Sequence, residues 1–103
     1  MFRKTAQKIH RSIGVVYVMN PRSTGNHHGY TGRNEHGDPH LHAITEYGEY
    51  KVYIITGEIE SIYGSPRPNA ELRQDASNFL LSHKHELLKM WETQHFYEIK
   101  DRK

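Results

Sequence analysis

A chain of 103 residues with a formal net charge of +2 and 35% hydrophobic residues has room for one domain and one small core. It contains no cysteine, which removes disulfides, thiolate metal sites and thiol catalysis. A mean hydropathy of −0.87, with no apolar run of roughly eighteen residues, leaves no candidate membrane-spanning helix.

The elements follow in chain order. The start, Met1 to Lys8, carries basic residues with no apolar stretch behind them, so no secretory signal is expected and the expected location is cytoplasmic. Residues 1–12 read as an N-terminal extension, in which Phe2, Ala6 and Ile9 stand at helical spacing and permit a short amphipathic helix over 2–10. Residues 13–19 are β-branched and aromatic and stop at Asn20-Pro21, which predicts a strand. Residues 20–38, glycine-rich and without periodicity, read as a long His- and Gly-rich loop. Further strands are expected over 39–45, 49–56 and 58–63, with Gly48 and Gly57 in the turns between them. Gly64-Ser65-Pro66-Arg67-Pro68 reads as a connector, because proline cannot donate to a ladder.

From Asn69 the period changes. Asn69 suits an N-cap and Glu71 a first helical turn. Leu72, Ala76, Phe79 and Leu80 form one apolar stretch, and Leu87, Leu88 and Trp91 another. Ser82-His83-Lys84 reads as a break between two helices, since Ser82 competes for backbone hydrogen bonds and Glu86 suits a new first turn. Strands followed by helices predict one α+β domain over 1–103. It is expected to hold a small three- to four-stranded antiparallel sheet followed by two C-terminal helices packed on one face.

The near-neutral total conceals an uneven distribution. Residues 1–36 carry +5, residues 37–99 carry −5 and the last four residues carry +2. A basic third beside an acidic body points to an anionic partner or to the body itself. Five of the nine histidines fall between positions 27 and 42: His27, His28, His36, His40 and His42. His40 and His42, two apart in a predicted strand, share a face.

Two chemistries follow from that pair. With Glu46 or Glu49, His40 and His42 make a set for a divalent metal ion, of the kind that holds zinc or non-haem iron. With Tyr47 and Arg33, they supply a base, an acid and a cation for metal-independent RNA cleavage. Other positions read as structural. His83 and His85 face different ways on a helix, His10 and His95 are expected at the surface, and Trp91 is expected in the core. Nucleic-acid binding draws only weak support from Tyr17, Tyr47, Tyr50, Tyr53 and Tyr63, because no basic patch accompanies them. Whether the protein is an enzyme stays open at this point.

The order Pro39-His40-Leu41-His42, Tyr47-Gly48-Glu49-Tyr50, Thr56-Gly57-Glu58-Ile59 and Leu87-Leu88-Lys89-Met90-Trp91 resembles a family of small prokaryotic proteins. That family is the domain of unknown function numbered four-one-six-zero. The resemblance implies a partner in a toxin–antitoxin-like or mobile gene pair and carries the family motif onto His40, His42, Tyr47, Gly48 and Glu49. Asp38 stands where the family has a first proline, and two extra residues between His42 and Tyr47 predict a bulged hairpin that displaces Glu49. The leading expectation is a cytoplasmic protein that binds a protein partner, with homodimerisation through an edge strand also expected.

Overall fold

The structure, a computed structural model, describes residues 7–21 and 38–100. Five strands and one helix follow in order: β1 (Gln7–Ser12), β2 (Val15–Met19), β3 (His40–Thr45), β4 (Glu49–Tyr53), β5 (Ile59–Ile62) and α1 (Ala70–Thr93). The strands form one antiparallel sheet in sequence order, each paired with its chain neighbour. No described helix is long and apolar enough to cross a membrane.

The α+β class holds, and two parts of the expectation need correction. The sheet has five strands because Gln7–Ser12 is a strand; the helix expected over 2–10 does not form across its described part. Three apolar positions gave that helix a weak signal, whereas pairing with β2 supplies a full ladder. Ile13 and Gly14 are the hairpin turn between β1 and β2, with Gly14 at φ +81°. Residues 2–6 of that expected helix, and residues 22–37 of the loop expected over 20–38, lie outside the described residues.

The second correction concerns the helices. One helix runs from Ala70 to Thr93, kinked at His83, whose φ of −129° and ψ of 18° depart from helical values. The break signal at Ser82-His83 therefore marks a bend. The buried positions Leu72, Ala76, Phe79, Leu80, Leu87, Met90 and Trp91 continue across it, so burial holds the two segments together. Asn69 caps the start, its Oδ1 accepting the Leu72 N–H at 2.8 Å. Gln94, in the left-handed conformation, closes the end by donating its N–H to Met90 O at 2.7 Å.

Alternation sorts the sheet into two faces. Val15, Tyr17, Met19, Leu41, Ala43, Tyr50 and Val52 stand on one and are buried. Phe79 of α1 stacks on Tyr17 there, with ring centroids 4.8 Å apart. Val16, Val18, His40, His42, Ile44, Glu49, Lys51 and Tyr53 stand on the other. β1 joins the first face through a bulge at Ile9, which sends both Ile9 and His10 inward.

Candidate functional site

The second face of β3 and β4 gathers the residues that carry chemistry. The β3–β4 turn fixes their positions: Thr45 N–H donates to Gly48 O at 2.9 Å and Gly48 N–H to Thr45 O at 3.3 Å. Register then runs unbroken from Ile44↔Glu49 to His40↔Tyr53, so the expected bulge in this hairpin is absent. The two extra residues are absorbed in an ordinary two-residue turn, Glu46-Tyr47.

His40 and His42 do share a face, with ring centroids 5.3 Å apart in an edge-to-face arrangement. Both are buried, at 3% and 4% exposure. His40 Nδ1 lies 2.9 Å from the Asp38 carbonyl, and His42 Nδ1 lies 3.1 Å from Glu49 Oε2. A carbonyl and a carboxylate only accept, so both Nδ1 atoms carry hydrogen. In the neutral rings the lone pair then sits on Nε2. A carboxylate that orients an imidazole through Nδ1 is the second-layer arrangement of both metal-bound and general-base histidines. Trp91 packs against His40 at 5.1 Å between centroids, confirming Trp91 as a buried residue. Tyr53 stands 6.0 Å from the His40 ring and donates its hydroxyl to Glu60 at 2.9 Å. Burial, then the hydrogen bond and charge of Glu60 with Asp38 and Glu58 beyond, push the Tyr53 phenol up to about 12.

The structure brings together only part of the expected set. Glu49 joins His42, but Glu46 and Tyr47 are exposed in the hairpin turn and line a different cavity, at the far end of β3 from His40. Among the described residues, no group of three or more His, Cys, Asp or Glu stands close enough to hold a metal ion. His27, His28, His36 and Arg33 lie outside the described residues. His83 Nδ1 meets Glu86 at 3.2 Å, apart from the exposed His85.

Sequence reasoning missed a polar centre on the first face. Asp75 of α1 accepts from Ser12 Oγ and from Tyr17 Oη, each at 2.6 Å. Burial, and then the bond and charge of Asp75, raise the Tyr17 phenol far above its ordinary value. The available signal was spacing: Asp75 stands three after Leu72 and four before Phe79, within the apolar stripe. His10, expected at the surface, is 7% exposed. It stacks on Phe79 at 4.5 Å, and its Nδ1 meets the Ile99 carbonyl at 2.8 Å.

Comparison with curated proteins gives no match, and comparison with solved structures gives none. The family model described as Domain of unknown function (DUF4160) matches residues 30–92. That span covers well over half of the chain and contains β3, β4, β5, His40, His42 and nearly all of α1, and on this match the chain belongs to the DUF4160 family.

Proposed function

We propose that this DUF4160 protein is a cytoplasmic partner-binding component of a toxin–antitoxin-like or mobile gene pair. The observation that supports this reading is the outer edge of β5. In the β4–β5 ladder Tyr53 N–H donates to Glu58 O at 2.9 Å, and Lys51 pairs with Glu60 two residues on. By antiparallel alternation the N–H and C=O of Ile59 and Ser61 point away from β4. Among the described residues nothing pairs with them. The opposite edge differs: there Ile99 N–H donates to Ile9 O at 2.6 Å. Beside the β5 edge runs a groove lined by Pro39, Ile55, Ile59, Glu58, Glu60 and Arg73, which mixes apolar and charged contact. An open edge with a flanking groove suits strand addition by a protein partner.

The test is co-expression with the product of the adjacent gene, followed by size-exclusion chromatography. A stable complex is expected with the wild type, and Ser61→Pro should lose it while remaining folded, since the outward N–H of Ser61 serves no internal rung. A monomer with no partner, or a complex indifferent to Ser61→Pro, would overturn the reading.

A second reading keeps chemistry at His40 and His42, favoured by the Nδ1 contacts to Asp38 and Glu49. Its metal form predicts bound metal in untagged wild type and none in the His40→Ala, His42→Ala double variant. Its ribonuclease form predicts RNA cleavage by the wild type alone. Equal, negligible metal with no cleavage removes both forms.

A further inference from the structure

The outer edge of β5 has a chemical polarity as well as open backbone groups. Glu60 stands opposite Lys51, which stands opposite His42, so the row that crosses β3, β4 and β5 on the second face ends in a carboxylate. The same register puts Glu58 opposite Tyr53 in the next row on that face, where the Tyr53 N–H meets the Glu58 carbonyl. Both glutamates are exposed. The Tyr53 hydroxyl donates to Glu60 Oε1 at 2.9 Å, which holds that carboxylate at the edge. Ile59, between the two, shares the first face with its partner Val52 and is half-buried. With Pro39 and the exposed Ile55 it lines the groove beside the edge, a space of about 830 Å³.

The next strand position beyond β5 is therefore specified twice. The backbones of Ile59 and Ser61 turn donors and acceptors outward in series, a pattern that an extended segment matches. That segment is short. Gly57 at φ 81° before β5, and Tyr63 and Gly64 at φ 53° and 73° after it, turn the chain away at both ends. Side chains directly opposite one another on a face then decide its composition. A cation opposite Glu58 or Glu60 stabilises the pair and continues the alternation of charge from Lys51, whereas a carboxylate there repels. The residue between two such cations faces Ile59 and is favoured when aliphatic.

We propose, building on the partner-binding reading of this edge, that β5 takes an extended segment of a protein partner in which lysine or arginine alternates with aliphatic residues. The basic side chains lie on the second face against Glu58 and Glu60, and the aliphatic one between them meets Ile59 and the groove. A second copy of β5 is a poorer occupant. Two-fold pairing centred on Glu60 sets that residue against its own copy, and pairing centred on Ile59 sets Glu58 against Glu60, so both registers oppose carboxylates. Pairing centred on Ser61 sets Glu60 against Ile62, where it gains no cation.

The test is a titration of the ¹⁵N-labelled full chain with a capped peptide, Thr-Lys-Val-Lys-Val-Thr, and with its counterpart carrying glutamate for lysine, followed by amide chemical shifts. Saturable shifts are expected at Ile59, Glu60 and Ser61 with the lysine peptide, and about tenfold weaker binding with the glutamate peptide. In the Glu58→Lys, Glu60→Lys double variant the preference should invert, with the glutamate peptide binding about tenfold more tightly than the lysine peptide. Inversion requires a folded protein, so unfolding cannot imitate it. The proposal falls if neither peptide shifts these amides, if both bind the wild type alike, or if the double variant keeps the wild-type preference. It also falls if the same shifts arise on raising protein concentration alone, which would put a second copy of the chain on the edge. The complex with the product of the adjacent gene separates this proposal from the reading it builds on. A complex lost in Ser61→Pro but indifferent to the charge-reversed variant removes the basic segment and leaves the edge reading. Peptide selectivity without any such complex removes the gene-pair reading and leaves the basic segment.

Discussion

The two faces of β3 are nearly equal in burial and unlike in content. Leu41 and Ala43 are fully buried on one side, and His40 and His42 are 3% and 4% exposed on the other. The first side is packed mostly with hydrocarbon; its polar groups include the Asp75 centre, where both oxygens meet hydroxyl donors, and His10, held by the Ile99 carbonyl. The second side places two imidazoles edge to face, one held by a backbone carbonyl and the other by a half-exposed glutamate. The helix serves both: before the kink Phe79 stacks on Tyr17, and after it Trp91 reaches His40. Burial alone therefore does not separate core from site here. What separates them is the second side's pair of adjacent imidazoles, one of them held by a partly exposed carboxylate.

That contrast predicts a graded series. Leu41→Ala should cost most, about 2–5 kcal/mol, from lost burial and the cavity left behind, read as a lower urea midpoint at unchanged slope. Tyr17→Phe should cost about 1–3 kcal/mol, because it leaves one Asp75 oxygen short of its donor. It should also change the alkaline limb. The folded phenol titrates above its ordinary value of 10.0, so its contribution is complete below about pH 10 and is lost as pH rises toward the folded pKa. Wild-type stability should therefore fall above about pH 10, and Tyr17→Phe should flatten that fall. On the histidine face Glu49→Gln should cost only about 0.5–1.5 kcal/mol, since the carboxylate is 30% exposed and water replaces part of its contact. Lys51→Ala should stay within about 0.5 kcal/mol. A Glu49→Gln loss as large as that of Leu41→Ala would make the histidine face a structural core and end the distinction.

Much of this contrast was legible in the sequence. His-x-His with period two gave the shared face, and Thr45-Glu46-Tyr47-Gly48 gave the hairpin that returns Glu49 to it. Asn69 gave the helix start. The rest depended on distant contacts. Gln7–Ser12 has a single large apolar residue, Ile9, and becomes a strand because β2 lies beside it and Ile99 closes its outer side. His10 looked like a surface residue because nothing local announces Phe79, far along the chain, as its stacking partner. Glu46 was an equal candidate to Glu49 in sequence. Only the turn geometry leaves it exposed in the turn, where it lines a different cavity instead of facing His42. The Ser82-His83 signal was real but ambiguous, since a bend and a break share the same local chemistry and burial on both sides decides between them.

The Ser65 hydroxyl sits inside the β4–β5 ladder. It accepts the Glu49 N–H at 2.9 Å and donates to the Ile62 carbonyl, standing in for the rung those two groups would otherwise share. A Cβ on Gly48 would overlap Ser65, so the glycine and the serine fit only as a pair. The connector that launches α1 is thereby stitched to the start of β4, the same residue whose carboxylate holds His42. Loosening of that stitch is readable at a single position: the Glu49 amide should exchange its hydrogen faster in Ser65→Ala, and the His42 ring should lose its fixed orientation with it.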